Sequence, residues 1–403
     1  MPEAVIVSAV RSPIGRAFKG SLIDVRPDDL AATMVRAALD RVPQLEDRDI
    51  DDLLMGCGLP GGEQGYNIGR VVALLAGLHD VPGATTTRYC ASSLQTINQA
   101  HHAIKADEGD VFIAAGVECV SRFVHGSSDG MPDTMNPQFA GAQLRSLDRA
   151  AGGKGPWTPP EGLPDIYIAM GQTAENVAEI EHVAREAQDE YALRSQQRAA
   201  DAINRGFFER EIVPVTTPDG TVVTRDDCPR PDTSLEKLAT LAPVFRPNGT
   251  ITAGNACPLN DGAAAVIVMS DTKAKALGIT PLARIVASGT TGLNPEIMGL
   301  GPVEATRLAL RRAQLNIDDI DLVELNEAFA AQVLPCAQQL EIPLDKLNVN
   351  GGAIALGHPF GMTGARIMTT LLNGLEDAGA TYGLETMCVG GGQGMAMIVE
   401  RLS

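Results

Sequence analysis

EAVIVSAVRSPIG at residues 3–15, followed by DDLAATMVRAALDR at residues 28–41, sets the pattern that organises the whole chain. The first segment is rich in β-branched residues and predicts a strand, and the second carries apolar residues at the spacing of one helical face. RDIDDLLMGCG at residues 48–58 then predicts another strand. A strand, an amphipathic helix and a strand in this order form the unit from which α/β folds are built.

The same order of elements returns towards the C-terminus. The strand, helix and strand reappear as LARIVASGTTG at 282–292, PVEATRLALRRAQ at 302–314 and DDIDLVELNEA at 318–328. A predicted helix at 91–106 and strand at 110–116 find counterparts at 364–379 and 383–391. Alternating strands and helices predict an α/β fold with mostly parallel sheets covered on both faces. We therefore expect two related halves that pack together as a pseudo-dimer.

An irregular region separates the two halves. SSDGMPDTMNPQ at 127–138 and GGKGPWTPPEGLPD at 152–165 are rich in glycine and proline, whereas residues 183–206 predict a polar amphipathic helix that ends at Gly206. Long loops on a rigid α/β scaffold usually belong to binding sites. We predict a first half at 1–121 plus 246–275, an inserted loop domain at 122–245 that covers the site, and a second half at 276–403.

Composition narrows the class of function. The formal charge is −18, so the surface repels nucleic acid and anionic membranes. No apolar stretch approaches the roughly 20 residues that span a bilayer, and the N-terminus lacks the basic start and cleavage site of a secretory signal. Seven cysteines without a C-x-x-C pair argue against a disulfide framework and a zinc site. We expect a cytoplasmic protein without a bound metal.

Cys90 lies in TRYCASSLQTINQAHHAIKA at 87–106, at or just before a predicted helix. The free N–H groups of a helix N-terminus favour a thiolate, which makes Cys90 a candidate nucleophile. The competing interpretation is a small buried hydrophobic residue, which describes most free cysteines.

Three further candidates fall at strand or loop ends of the second half. Cys388 ends a strand before a glycine run that could form an oxyanion cradle, although a packed thiol is the simpler interpretation. His358, within NVNGGAIALGHPFGMTG at 348–364, is either a catalytic base, part of a phosphate cradle or a turn residue bonded to the backbone. Asn326 either reaches the same crevice or caps the next helix. Sites of open α/β sheets lie at such crevices, so two facing halves predict that all four residues converge.

These segments, in this order and spacing, resemble the thiolases, the acyl-CoA C-acyltransferases. The resemblance covers essentially the full chain and rests on MGQTAENVA at 170–178, TAGNACPLNDGAAA at 252–265, NEAFA at 326–330, NGGAIALGHPFGMTG at 350–364 and CVGGGQG at 388–394. It implies a five-layered αβαβα core. It also implies CoA-dependent cleavage of 3-ketoacyl-CoA, or the reverse Claisen condensation, with coenzyme A as co-substrate and no permanent cofactor. Members are homodimers or homotetramers.

The resemblance also implies a role for each candidate. Cys90 takes the acyl group as a thioester, His358 activates first this thiol and later that of coenzyme A, and Cys388 moves the proton of the α-carbon. Asn326, through a water, forms one oxyanion hole with His358. The backbone N–H groups of Cys90 and Gly390 form the other. The glycines of 348–364 are expected to give the backbone close access to the thioester.

Other residues are implied to hold the substrate. Met170, Phe245 and Phe329 line the acyl pocket, and Arg230 pairs with a phosphate of coenzyme A unless it is simply a solvated loop charge. Two positions depart from the family. Cys257 stands where a serine is usual, and Ala169 stands where short-chain members often carry a histidine. Both concern the acyl chain rather than the reaction type.

Two alternatives keep the fold but change the function. A decarboxylating ketoacyl synthase shares the nucleophile, but synthases replace the functions of Asn326 and Cys388 by other residues. A catalytically silent lipid-carrier or scaffold subunit would retain the fold alone. All four reactive residues are present, which favours the thiolase.

Overall fold

The computed structural model describes residues 2–153 and 155–403, so Met1 and Lys154, at the start of the predicted first half and within the predicted insertion, lie outside it. Labelled in chain order, the strands are β1 Ala4–Arg11, β2 Gly15–Arg16, β3 Asp52–Cys57, β4 Gly83–Thr86, β5 Val111–Cys119, β6 Val215–Thr216, β7 Val222–Val223, β8 Asn260–Ser270, β9 Ala283–Gly292, β10 Leu322–Leu325, β11 Tyr382–Val389 and β12 Gln393–Arg401. The helices are α1 Pro27–Asp40, α2 Ile68–Leu75, α3 Ser92–Lys105, α4 Ala140–Ala150, α5 Met170–Ile180, α6 Arg185–Asn204, α7 Leu235–Ala239, α8 Asp271–Leu277, α9 Gly301–Ala313, α10 Ala330–Gln339, α11 Ala353–Leu356 and α12 Thr363–Ala378.

The predicted repeat is visible in the strand order. The first half runs β4-β3-β5-β8-β1, and the second runs β10-β11-β12-β9. Leu347 forms a parallel bridge with Val323 of β10, in the place that β4 takes beside β3 in the first half. The halves join where Val5 and Ile6 of β1 pair with Arg284 and Ala283 of β9.

The sheet is mixed, so the prediction of mostly parallel pairing was wrong. β3 pairs in parallel with β4 and β5, and β10 pairs in parallel with β11. The remaining pairs of the large sheet are antiparallel, because β8 inserts between β5 and β1 and β12 inserts between β11 and β9. Gly390–Gly392 form a hairpin turn between β11 and β12, with Gly391 and Gly392 both at φ 79°. A hairpin makes its two strands antiparallel, whereas a helical crossover makes them parallel.

Helices cover both faces of each half and create five layers, which confirms the predicted αβαβα core. One apolar cluster joins α1 and α2 to the outer face of the first half, and another joins α9 and α10 to the outer face of the second. The central cluster contains α3 and α12, which pack against each other between the two halves. Side chains alternate between faces along a strand, so Ile6 of β1 points to the central layer while Val5 points outwards.

This layering places the N-termini of α3 and α12 side by side. The 3-10 turn Tyr89–Ala91 runs directly into α3 and also contacts α12 and β11. Asn326 follows β10, Cys388 lies near the end of β11, and His358 precedes α12. The four candidates therefore fall at one end of the central layer.

Candidate active site

Cys90 occupies the turn that opens α3, as its sequence context predicts. Its side chain is buried, and the preceding Tyr89 holds a positive φ of 41°. A non-glycine residue in this region is uncommon and carries backbone strain. The strained turn therefore presents Cys90 at the helix N-terminus beside the central layer.

The environment of Cys90 keeps the thiol protonated. Burial raises its pKa to about 11, although the backbone N–H groups of Gly390 and of Cys90 itself lie near the sulfur and act in the opposite direction. These backbone N–H groups favour the anion, as expected for a helix N-terminus, but desolvation of the anion outweighs them. A thiol of this kind needs a base before it can attack.

Gly390 begins the turn after β11, beside Cys90. A methyl group at its Cα position would lie 3.5 Å from the Tyr89 ring and 3.6 Å from Met170 Sδ. The N–H groups of Gly390 and Cys90 converge on the sulfur, so they are placed to receive an oxyanion that forms on a group bound there.

Cys388 is fully buried on the other side of this turn. Burial raises the pKa of its thiol well above the ordinary value, and the thiols of Cys90, Cys336 and Cys257 act in the same direction. The carboxamide of Gln332 lies 3.8 Å from Cys388 Sγ. In the amide orientation that gives both polar atoms a partner, Gln332 Nε2 donates to the backbone oxygen of Asn326 at 3.1 Å and Oε1 accepts from Val333 N at 3.2 Å. Gln332, which the sequence did not single out, thus connects Cys388 with Asn326.

The hydrogen bonds of His358 define its tautomer. Thr363 Oγ1 donates its one proton to the backbone oxygen of Pro359 at 2.7 Å, so it accepts from His358 Nδ1 at 2.6 Å. The lone pair is then on Nε2, which lies 3.3 Å from Asn326 Nδ2. Burial, together with Arg366, lowers the pKa of His358 to about 3. His358 is thus a neutral imidazole whose Nε2 lone pair accepts a hydrogen bond from Asn326 Nδ2.

Asn326 does not cap the next helix. The residue at the N-cap of α10 is Phe329, and the Asn326 carboxamide instead points to His358. Its Oδ1 is buried and makes no hydrogen bond with any residue that the structure describes. Asn326 and His358 therefore form a buried polar pair in the second half.

The glycines around His358 pack against protein, which corrects the expectation that they give access to the thioester. Gly357 holds φ 113°, and a Cβ there would lie 2.7 Å from the Asn260 carboxamide. A Cβ on Gly361 would lie 2.2 Å from the backbone oxygen of Val117. Contacts this close allow only glycine. The loop is neither a phosphate cradle nor a simple turn, because its glycines fix His358 between the two halves.

Two buried polar residues that the sequence left unnoticed hold this loop. Glu118 accepts from the backbone N–H groups of Gly58 at 2.6 Å and Gly361 at 2.9 Å, and also from Gln64. Asn260 Oδ1 accepts from His358 N at 2.9 Å. The available signal in the sequence was a polar residue within the apolar pattern of each strand, near the end of β5 and at the start of β8. Such a residue, once buried, needs a hydrogen-bond partner.

A cavity of about 550 Å³ opens at Cys90. Met170 and Gly390 line it, together with Phe360, Ile166 and Ile168.

Phe245, Phe329 and Cys257 do not line this cavity. They pack instead in an apolar cluster with Cys388, where the rings of Phe245 and Phe329 meet edge to face with centroids 6.3 Å apart. This cluster places the three residues behind the cavity wall.

Arg230 lies in a separate cavity of about 190 Å³, which shares no lining residue with the first. Its side chain is exposed, and Lys237 and Gln196 line the same cavity. Ala256 and Pro258 also line it, so Cys257 lies between this cavity and Cys388. Burial and the Cys90 thiol raise the pKa of Cys257. Ala169 is exposed at the start of α5.

The structure also bears on disulfides, metal binding and membrane spans. All seven cysteines are free thiols. Across 2–153 and 155–403, no three or more His, Cys, Asp or Glu residues are grouped to hold a metal ion. None of the helices in those ranges combines the length and apolar character needed to cross a membrane.

Comparisons with known proteins agree with this geometry. The family model of the thiolase N-terminal domain matches residues 4–272, and that of the thiolase C-terminal domain matches residues 279–401. The chain is 45% identical to the beta-ketoadipyl-CoA thiolase of Acinetobacter baylyi, over 100% of both sequences. It is 47% identical to the 3-oxoadipyl-CoA/3-oxo-5,6-dehydrosuberyl-CoA thiolase of Escherichia coli, again over 100% of both.

Two solved structures share the fold. The acetyl-CoA acetyltransferase of Bacillus anthracis superimposes with a TM-score of 0.87 at 38% identity, over 100% of this chain and 99% of that one. The human mitochondrial 3-ketoacyl-CoA thiolase in complex with CoA gives 0.86 at 36%, over 100% and 98%. The chain, matched by both domain families of the thiolases over nearly its whole length, belongs to the thiolase family.

Proposed function

We propose that the chain cleaves 3-ketoacyl-CoA with coenzyme A, releasing acetyl-CoA and an acyl-CoA shortened by two carbons, or runs the reverse Claisen condensation. It is an acyl-CoA acyltransferase, like the thiolases to which it is 45% and 47% identical. Two observations support the proposal: a protonated Cys90 under two backbone N–H groups, and a neutral His358 whose Nε2 carries the lone pair.

The first half-reaction begins with proton transfer from Cys90 Sγ to His358 Nε2. The thiolate attacks the C3 carbonyl of the substrate, and the oxyanion is received by the N–H groups of Cys90 and Gly390. The C2–C3 bond then breaks, leaving the acyl group on Cys90 and the electron pair on the acetyl-CoA enolate. The protonated His358 and Asn326 stabilise the enolate oxygen, and Cys388 supplies the proton to C2.

The second half-reaction transfers the acyl group to coenzyme A. Before coenzyme A reacts, the proton that His358 took from Cys90 passes to the Cys388 thiolate, directly or through solvent, so that His358 is neutral again. His358 then removes the proton from the incoming thiol, which attacks the thioester carbonyl, and the same two N–H groups receive the oxyanion. When this intermediate collapses, Cys90 leaves as a thiolate and takes the proton back from His358. The high pKa of Cys388 suits an acid that must stay protonated until an enolate forms.

We assign the inserted loop domain to residues 122–245, as a cover that also binds coenzyme A. Ile166, Ile168 and Met170 from this segment form part of the wall at Cys90, and Arg230 and Lys237 line the smaller cavity. Arg230 and Lys237 suit the phosphates of coenzyme A, and Asp232 in the same cavity pairs with Lys237 at 2.7 Å. Cys257, between the cavities, marks the path that the pantetheine would follow, with Phe245 and Phe329 supporting the acyl pocket from behind.

Free thiols and a formal charge of −18 support a reducing, cytoplasmic setting. A homodimer or homotetramer remains a proposal that the thiolase resemblance supports.

The proposal is tested by trapping the acyl group. Purified protein is mixed with 3-oxohexanoyl-CoA without coenzyme A, and the intact mass is measured with peptide mapping. We expect a butyryl adduct on Cys90, released by added coenzyme A. The Cys90→Ala variant should carry no adduct, and Cys119→Ala, whose buried thiol lies at the end of β5, should behave as the wild type. Absence of both adduct and cleavage would refute the thiolase function, and acylation that depends on malonyl-CoA would favour a ketoacyl synthase.

A further inference from the structure

The cavity at Cys90 has one charged side chain on its wall, Asp129, among the residues that the structure describes. The remaining wall is largely apolar and includes Met131, Met135, Ile168 and Met170. No lysine, arginine or histidine lines this cavity within 2–153 and 155–403. An acyl chain that extends from Cys90 therefore meets methionine and isoleucine side chains and a carboxylate, but no cation.

Asp129 is connected to the residue next to the nucleophile. Its Oδ2 accepts from the hydroxyl of Tyr89 at 3.2 Å, and its Oδ1 accepts from Ser128 Oγ at 3.0 Å. Tyr89 immediately precedes Cys90, and its ring borders Gly390. The carboxylate is thus linked to Cys90 through one residue, Tyr89, whose hydroxyl it binds.

The loop that carries Asp129 starts at a close backbone contact. A Cβ on Gly61 would lie 2.6 Å from the carbonyl carbon of Ser127, and one on Gly62 would lie 2.5 Å from the backbone oxygen of Gly126. The two backbones therefore pack directly against each other just before the short 3-10 turn Ser128–Gly130. This contact positions the start of the turn that carries Asp129.

Arg88, which precedes Tyr89, has its guanidinium bonded to two glutamines. Its Nε donates to Gln95 Oε1 at 2.8 Å, and its Nη1 donates to Gln393 Oε1 at 2.6 Å. Gln393 lines the cavity and Arg88 does not. The Gln393 side chain thus separates the guanidinium from a substrate at Cys90.

We infer that this cavity favours acyl chains that end in a neutral apolar group over chains that end in a carboxylate, with Asp129 as the specificity-determining residue. This rests on the proposed thiolase function. It separates the chain from relatives named for 3-oxoadipyl-CoA, whose substrate carries a terminal carboxylate. The cause is repulsion between like charges, added to the cost of desolvating the substrate carboxylate in an apolar cavity. Asp129 is exposed, so solvent screens this repulsion and the discrimination is moderate.

The test compares two substrates of equal length. 3-Oxohexanoyl-CoA leaves a butyryl group on Cys90, and 3-oxoadipyl-CoA leaves a succinyl group, which differs by a carboxylate in place of the terminal methyl. We expect kcat/KM to be at least tenfold higher for 3-oxohexanoyl-CoA. The Asp129→Asn variant should reduce this ratio about tenfold, mainly by improving cleavage of 3-oxoadipyl-CoA. Asp133→Asn is the matched control, because Asp133 lies on the same loop outside the cavity wall and asparagine tolerates its φ of 59°.

A binding measurement separates the failure of this inference from the failure of the thiolase function. Calorimetry with butyryl-CoA and succinyl-CoA reports the preference without turnover, and we expect butyryl-CoA to bind at least tenfold more tightly. If neither substrate is cleaved, the thiolase proposal fails while the binding ratio still decides the specificity. Equal or better binding and cleavage of the dicarboxylic compounds by the wild type overturns the inference, and an unchanged ratio in Asp129→Asn overturns the role of Asp129.

Discussion

The hydroxyl of Thr363 fixes the tautomer of His358, and replacing it by valine should impair catalysis without disturbing the fold. In the wild type this hydroxyl accepts from Nδ1 at 2.6 Å, which leaves the lone pair on Nε2. In Thr363→Val the Nδ1 proton loses its acceptor inside a fully buried environment. The ring is then free to rotate or to place its proton on Nε2, and either change removes the base that we propose for Cys90. Thr363 is a positioning residue, since it acts through His358.

The size of the effect follows from the cost of an unsatisfied buried donor. That cost is about 1–3 kcal/mol, which corresponds to a loss of about 5- to 150-fold in kcat. KM should change little, because the lost interaction orients the base rather than the substrate.

Thr369→Val is the matched control on the same helix. Thr369 is equally buried, and its hydroxyl also donates to the carbonyl four residues earlier, that of Ala365, at 2.7 Å. Thr363 makes the equivalent bond to Pro359, so both variants lose this bond, worth about 1 kcal/mol, and only Thr363→Val also leaves His358 Nδ1 without an acceptor. Steady-state cleavage of 3-oxohexanoyl-CoA and a thermal unfolding scan on both variants provide the comparison. Wild-type kcat in Thr363→Val, or an equal loss in Thr369→Val, would refute the tautomer argument.

Three further outcomes follow from the buried groups. Burial, with His102 and Lys105, lowers the pKa of His101 to about 4, below the ordinary value of about 6.5, so the unfolded state binds a proton first as the pH falls from 6.5 to 4. His101→Gln should therefore reduce the stability lost between pH 7.5 and pH 5 by about 2 kcal/mol in denaturant unfolding, whereas the exposed His102→Gln should not; equal effects would contradict this assignment. Glu118→Gln places an amide NH₂ against N–H donors from Gly58 or Gln64, so the free energy of unfolding should fall by about 2–4 kcal/mol. A variant as stable as the wild type would show that the hydrogen bonds to Glu118 do not stabilise the fold. Because the pKa of Cys90 is about 11, its alkylation by iodoacetamide, followed by mass spectrometry, should keep rising from pH 6 to pH 9, and a plateau below pH 8 would reveal a preformed thiolate.

Much of the fold is readable from local patterns. The apolar periodicity of residues 28–41 and 302–314 corresponds to α1 and α9, and the strand segments at 3–15 and 282–292 contain β1 and β9. Helix α6 ends before Gly206, which holds the expected positive φ of 75°. These features depend on side-chain periodicity and backbone preference within a few residues, which sequence records directly.

The direction in which neighbouring strands pair could not be predicted in this way. The glycines after Cys388 were interpreted as a possible anion cradle, but Gly391 and Gly392 also close the hairpin between β11 and β12. Alternation of strands and helices predicts parallel pairing only where each helix is a crossover between neighbouring strands. Which strand becomes the neighbour is decided by packing of the whole sheet, and that information is not local.

The sequence by itself determined the duplicated α/β architecture and supplied Cys90, Asn326, His358 and Cys388 at element ends, because periodicity and turn chemistry are properties of neighbouring residues. Only the tertiary structure decided that Cys90 is a protonated thiol and that Thr363 holds His358 in one tautomer. It also decided that Asp129 lines the cavity at Cys90 and binds the hydroxyl of Tyr89. The physical reason is that desolvation and hydrogen bonding depend on which distant segments exclude water from a group. That arrangement exists only after the two halves have packed.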